Sequence, residues 1–171
     1  GMVAGDRAVL DVGGGSAELA FGSHRMEYSY SLPLGAVLLT NRFIDSDLPP
    51  ESSLQAMSAY IHRLLKQNIR GAESSALIVI GGTARNLAAI SGKTALNKEE
   101  LQELLNFLKR KPLSERKQIP GLDPGRADII IAGSLLILEV MELLQLDSFS
   151  ACEKGVRHAI LAEALRSEWQ S

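Results

Sequence analysis

Three consecutive glycines, Gly13, Gly14 and Gly15, followed by Ser16, separate two apolar runs in RAVLDVGGGSAELAFG. A tight hairpin needs only two turn residues, so this spacing asks for another purpose. Glycine is required where the backbone takes a positive φ, or where a ligand must come close without a Cβ in the way. Successive N–H groups in such a loop can converge on one anion, and Ser16 adds a hydroxyl donor; phosphate is the natural guest. One acid stands on each flank, Asp11 at the end of the first run and Glu18 near the start of the second. Acids beside a phosphate loop repel the ligand unless a divalent cation lies between, as Mg²⁺ does when one or two carboxylates hold it together with phosphate oxygens. The same residues also allow a plain turn with two solvated charges, and spacing does not choose between these readings.

Around the loop, the pattern alternates between strand and helix. AVLDV, AELAFG and RMEYSYS read as three successive strands, and AVLLTNRFI has helical spacing. From Glu51 to Arg70, the residues Leu54, Met57, Ala59, Ile61, Leu64 and Leu65 form one helical stripe, with Gly71 as its stop. ALIVI is too short for a helix and runs into GGTARNLAAI, a glycine turn opening a helix whose first N–H groups offer a second place for an anion. Leu101 to Lys109 is amphipathic, and PLSERKQIP reads as a polar helix or connector. In GLDPGRAD, Asp123 is the expected N-cap and Pro124 the first residue of a helix. That helix is apolar nearly all round and therefore central. SFSAC is a last strand, and residues 155–169 are a closing helix. Alternating strands and helices imply parallel pairing, with the opening triple as a hairpin extension. The expectation is an α/β domain with a five-stranded mixed sheet and helices on both faces.

Several classes are excluded on the way. A length of 171 residues suits one domain. A net charge of −2 argues against a broadly basic nucleic-acid surface. Cys152 is the only cysteine, so neither an internal disulfide nor a cysteine metal cage is possible, and a reducing, cytoplasmic setting is the default. IIIAGSLLILEVMELL is interrupted by Glu139 and Glu142 and falls short of the ~20 residues that span a bilayer. No signal peptide opens the chain, and Gly1 before Met2 reads as a residue left by tag removal. Glu18 stands where a GxGxxG fingerprint needs its third glycine, and Leu87 where a P-loop ending in SGKT needs its first. His24, His62 and His158 share no ligand-like spacing.

LDVGGGSAELAFG, IVIGGTARNLAAI, GRADIIIAGSLLILEVMELL and GVRHAILAEAL together resemble the exopolyphosphatase/guanosine pentaphosphate phosphohydrolase (Ppx/GppA) family, specifically its second domain, within the actin-like ATPase superfamily. The resemblance covers residues 2–171 as a single domain and implies a ribonuclease H-like fold. It further implies hydrolysis of a terminal phosphoanhydride of polyphosphate or guanosine pentaphosphate with Mg²⁺. By that resemblance Asp11 binds the cation or orients the attacking water, and Glu18 assists the metal. Gly13, Gly14, Gly15 and Ser16 cradle phosphate oxygens. Gly81, Gly82 and Thr83 extend the donor surface, with Arg85 as a possible charge partner, although an arginine there often just faces water. Arg126 and Asp128 are expected to cap and pack the central helix.

Two departures from the family matter. GVRHA carries His158 and Ala159 where the family has glutamate and glycine, leaving Gly155 and Arg157 in place. The family's first domain supplies another phosphate loop and the glutamate that acts as base, whereas ten residues precede Asp11 here. The resemblance therefore implies half a clamp, inactive until a first domain or a partner chain completes the cleft. The alternatives are a non-catalytic polyphosphate or guanosine-polyphosphate binding module, and an actin-like or sugar-kinase nucleotide-binding domain. No membrane or nucleic-acid partner is expected.

Overall fold

A computed structural model of the chain describes residues 3–5, 7–22, 26–69 and 72–152. The expected stop at Gly71, the closing helix, His24, and the motif with Gly155, Arg157, His158 and Ala159 lie outside the described residues. In chain order the elements are β1 (Val3–Gly5), β2 (Arg7–Val12), β3 (Ala17–Gly22), β4 (Met26–Leu32), α1 (Ala36–Phe43), α2 (Glu51–Asn68), β5 (Ala72–Ser74) and β6 (Leu77–Ile80). They continue with α3 (Gly82–Ser91), β7 (Ala95–Asn97), α4 (Lys98–Lys109), α5 (Leu113–Arg116), α6 (Ile130–Leu143) and β8 (Ser148–Ala151).

Six strands form one mixed sheet in the order β4-β3-β2-β6-β8-β7. The pairs β2–β6 and β6–β8 are parallel, and the other pairs are antiparallel. The sheet therefore has six strands where the sequence suggested five. The added strand is β7, which buries only Leu96, and a single inward side chain shows no period to read. β1 and β5 form a separate parallel pair.

Register places Ala8, Leu10 and Val12 of β2 opposite Phe21, Leu19 and Ala17 of β3, and Ala8 and Leu10 opposite Leu77 and Val79 of β6. Because side chains alternate along a strand, these residues share one face, and all are buried. With the buried residues of α1, α2, α3, α4 and α6 they make one core. Helix α6 is its hub, in contact with α1, α2, α3 and α4, which explains a sequence apolar nearly all round. The other sheet face carries Val9, Asp11, Glu18 and Ile78.

Two helix starts differ from expectation. A capping box between Asn97 and Glu100 begins α4 at Lys98, three residues before Leu101. Asp123 does act as an N-cap, but of a single 3-10 turn, Pro124–Arg126. Its carboxylate accepts the N–H of Gly125 at 2.9 Å, and this tight local bond closes a turn of its own. The central helix starts only at Ile130.

Candidate functional site

β2 and β6 are adjacent parallel strands, with Asp11 opposite Ile80 at their carboxyl ends. The two glycine loops leave side by side from there, which is where open α/β sheets take ligands. Both regions singled out from the sequence are thus brought to one edge.

Backbone geometry sets the direction of the first loop. Ala36 donates to the carbonyl of Gly13 at 2.9 Å, and Val37 and Leu38 donate to that of Gly14 at 3.0 and 3.1 Å. These carbonyls thereby cap α1, whose N-cap, Gly35, makes no side-chain cap bond. In a trans peptide the C=O and N–H point in opposite directions, and no cis bond occurs among the described residues. Docking the carbonyls of Gly13 and Gly14 on α1 therefore turns the N–H groups of Gly14 and Gly15 away from it. Among the described residues, no acceptor takes the N–H of Gly14, Gly15 or Ser16. Gly13 donates to the carbonyl of Ser16 at 3.0 Å, closing the loop. The result is a row of outward donors that suits an anion.

The carboxylates lie in one row across the sheet, where Asp11 faces Glu18 and Glu18 faces Ser31. The Glu18 carboxylate accepts the Ser16 hydroxyl at 2.6 Å and the Ser31 hydroxyl at 3.2 Å, both on Oε1. Because the Ser16 hydroxyl proton is directed there, Ser16 offers an anion its N–H. Asp11 is half-buried and makes no hydrogen bond among the described residues. Burial first, and the charge of Glu18 second, push its carboxyl above the ordinary range. Two facing carboxylates with no basic side chain paired to either among the described residues, one with a free oxygen and one with both free, have the donor chemistry a divalent ion takes when phosphate completes its shell. No group of three or more His, Cys, Asp or Glu side chains suited to a metal occurs among the described residues.

On the second loop, Gly81 has φ +94°, and a Cβ there would lie 2.9 Å from Asp11 Oδ1. A side chain at this position would displace the carboxylate. Gly82 and Thr83 open α3, whose first N–H groups precede any intrahelical acceptor. The Thr83 side chain is buried, 1% exposed, against Gly133 of α6, so its N–H is the group left for a ligand. Arg85 is exposed and has no ion pair among the described residues. Arg126, which the sequence suggests as a capping and packing residue, has its guanidinium where a Cβ of Gly82 would be. It too has no carboxylate partner among the described residues. No local pattern shows this approach, because it joins segments distant in the chain. His62 sits elsewhere, paired with Glu139 at 3.3 Å between α2 and α6.

Fold and site define an α/β domain of the actin-like ATPase kind, with two glycine loops at the ends of adjacent parallel strands. The chain belongs to the Ppx/GppA phosphatase family, whose model matches residues 2–168. Exopolyphosphatase 1 of Mycobacterium leprae (strain TN) is 31% identical over 183 residues, which cover 98% of this chain and 54% of that protein. Exopolyphosphatase 1 of Mycobacterium tuberculosis (strain ATCC 25618 / H37Rv) is 27% identical, over 98% and 53%. The Aquifex aeolicus member of the Ppx/GppA family superimposes with a TM-score of 0.88 at 26% identity, over 97% of this chain and 58% of that one. An exopolyphosphatase from Cytophaga hutchinsonii shares the fold, with a TM-score of 0.79 at 22% identity. The chain spans about half the length of the curated relatives it matches. Among the described residues, no helix is long and apolar enough to cross a membrane.

Proposed function

We propose that this chain forms the phosphate-holding wall of a phosphoanhydride hydrolase acting on polyphosphate or guanosine pentaphosphate. The observation that carries the reading is the pair of N–H groups at Gly14 and Gly15, directed away from α1 beside Asp11 and Glu18, which like the N–H of Ser16 have no acceptor among the described residues. The names of the curated relatives, both exopolyphosphatases, support polyphosphate; guanosine pentaphosphate rests on the family resemblance of the sequence motifs.

In this reading the terminal phosphoryl group rests on those donors and on the first N–H groups of α3, with Arg126 adding a full positive charge. Water attacks phosphorus as the bond to the bridging oxygen breaks, and the electron pair leaves with the shortened chain. Donors fixed before reaction stabilise the charge that spreads over the equatorial oxygens. Asp11 and the free oxygen of Glu18 would hold Mg²⁺, which supplies neutralisation of phosphate charge. With both carboxylates so occupied, the proton of the attacking water needs a base from an opposing wall, contributed by a first domain or a partner chain. Positioning that water is worth about 7–11 kcal/mol of barrier, so the chain by itself turns over slowly.

Phosphate release from polyphosphate with Mg²⁺ tests this, with the purified chain alone and mixed with the separately expressed first half of a related exopolyphosphatase. The expected result is little release alone, a gain of at least about a hundredfold on mixing, which needs only about 2.7 kcal/mol of the barrier above, and loss of that gain in Asp11→Asn. Rapid release by the chain alone would overturn the need for a second wall. Binding without release under every condition would favour a non-catalytic polyphosphate-binding module.

A further inference from the structure

Asn86 lies one turn along α3 from Gly82 and is only 6% exposed. Its amide spans two segments: Nδ2 donates to the carbonyl of Gly82 at 2.7 Å, and Oδ1 accepts the N–H of Asp123 at 2.5 Å. Asp123 passes the connection on. Its carboxylate accepts from Gly125 at 2.9 Å, and its carbonyl accepts from Arg126 at 2.8 Å. The circuit closes in space, because the Arg126 guanidinium returns to lie against Gly82. On the far side of the turn, the buried Arg116 donates through Nε to the carbonyl of Ala127 at 2.9 Å.

We infer that Asn86 is a positioning residue of the phosphate site, clamping the turn that carries Arg126 onto Gly82; this rests on the phosphate reading proposed above. The physical reason is directional. An apolar residue of similar size would fill the same space but would set no register between α3 and the turn, and would leave the Asp123 N–H and one Gly82 lone pair without partners. The amide can satisfy both only when Asp123 stands at one distance and angle from Gly82. Arg126, three residues on, inherits that placement. Its long side chain is otherwise free to sample many rotamers, and a guanidinium held in one place binds phosphate oxygens far better than a mobile one.

Asn86→Leu, which keeps the volume, and Asn86→Ser, which keeps a small polar group, test the inference once circular dichroism shows which of them is folded. Two readouts are needed on the folded variants. In the first, without ligand, the heteronuclear NOE of the Arg126 Nε–H should fall towards the value of a mobile side chain. In the second, affinity for inorganic tripolyphosphate should fall roughly tenfold, the scale of a lost charge-assisted bond. On an Arg126→Gln background the same substitution should cost nothing further. An unchanged Nε–H signal, or losses that simply add to those of Arg126→Gln, would overturn the positioning role. If the unaltered chain binds no tripolyphosphate, the phosphate reading falls instead, while the Nε–H comparison still decides whether Asn86 places Arg126.

Discussion

Gly15 and Gly35 border the same loop, and the structure asks opposite things of them. A Cβ on Gly15 meets nothing within 4 Å, and its φ is not positive. Nothing in the fold therefore requires glycine there, and the open space lies on a residue whose N–H has no acceptor among the described residues. Gly15→Ala is expected to leave stability unchanged or raise it by about 0.4–1 kcal/mol, because alanine loses less chain entropy on folding. The same variant should weaken tripolyphosphate binding, since the methyl occupies the approach to the loop. Urea unfolding and calorimetric titration measure the two effects separately; a stability loss with unaltered binding would return Gly15 to a structural role. Asp11 shows the same tension between function and stability. Its folded carboxyl titrates above the ordinary range through burial and the charge of Glu18. Between the unfolded and folded pKa values, the folded state holds more protons than the unfolded one, so stability falls as pH rises through that window. The penalty is fully present above it. Asp11→Asn is accordingly expected to be more stable than the unaltered chain at pH 7, with the advantage shrinking as pH falls through that window and gone below the unfolded value of about 4. Urea midpoints across pH would reveal this, and an equal difference at every pH would contradict it.

At the level of elements, α1 and the first loop are one device. The helix has no side-chain cap of its own, and the loop cannot direct its N–H groups outward without somewhere to put its carbonyls. Each solves the other's problem. Gly35 makes the close approach possible, because a Cβ there would fall on the Gly14 peptide. Gly35→Ala is expected to push loop and helix apart, costing about 1–3 kcal/mol, the range for overpacking in a fitted contact. It should also shift the Gly14 and Gly15 amide resonances even without ligand; a variant with normal stability and normal amide shifts would show that the approach is not needed. The sequence displayed Gly35 only as the end of LPLG, since close approach between segments twenty residues apart leaves no local pattern. The 3-10 turn at Pro124–Arg126 was misread for a related reason. Its signals, Asp123 followed by Pro124, fit a helix start equally well, and what separates the turn from α6 is how Asn86 and Arg116 hold it from either side. Both anchors bond to backbone, which no residue pattern advertises.

For the whole molecule, the order of the sheet does the placing. Because β2 and β6 are parallel neighbours, loops that leave them are neighbours too, although Gly15 and Gly81 are far apart in the chain. The antiparallel β3 and β4 then bring Glu18 and Ser31 into line with Asp11. The site lies along one edge of the sheet, and the mixing assay tests at this scale whether a second wall must close it.

Sequence by itself determined what local chemistry can encode. The strands β2, β3, β4, β6 and β8 were legible from alternating or β-branched runs, α1, α2 and α4 from their apolar spacing, and α6 from an apolar character that only a central helix tolerates. The loop residues from Gly13 to Ser16 stood out because a run of glycines has few other uses. Tertiary structure decided which way those groups point. The donors at Gly14 and Gly15 face outward only because α1 takes the carbonyls, Ser16 spends its hydroxyl on Glu18, and Thr83 turns its side chain to Gly133. Arg126 reaches Gly82 only through the turn that Asn86 holds. Direction is a property of packing between segments distant in sequence, and a one-dimensional pattern carries no record of it.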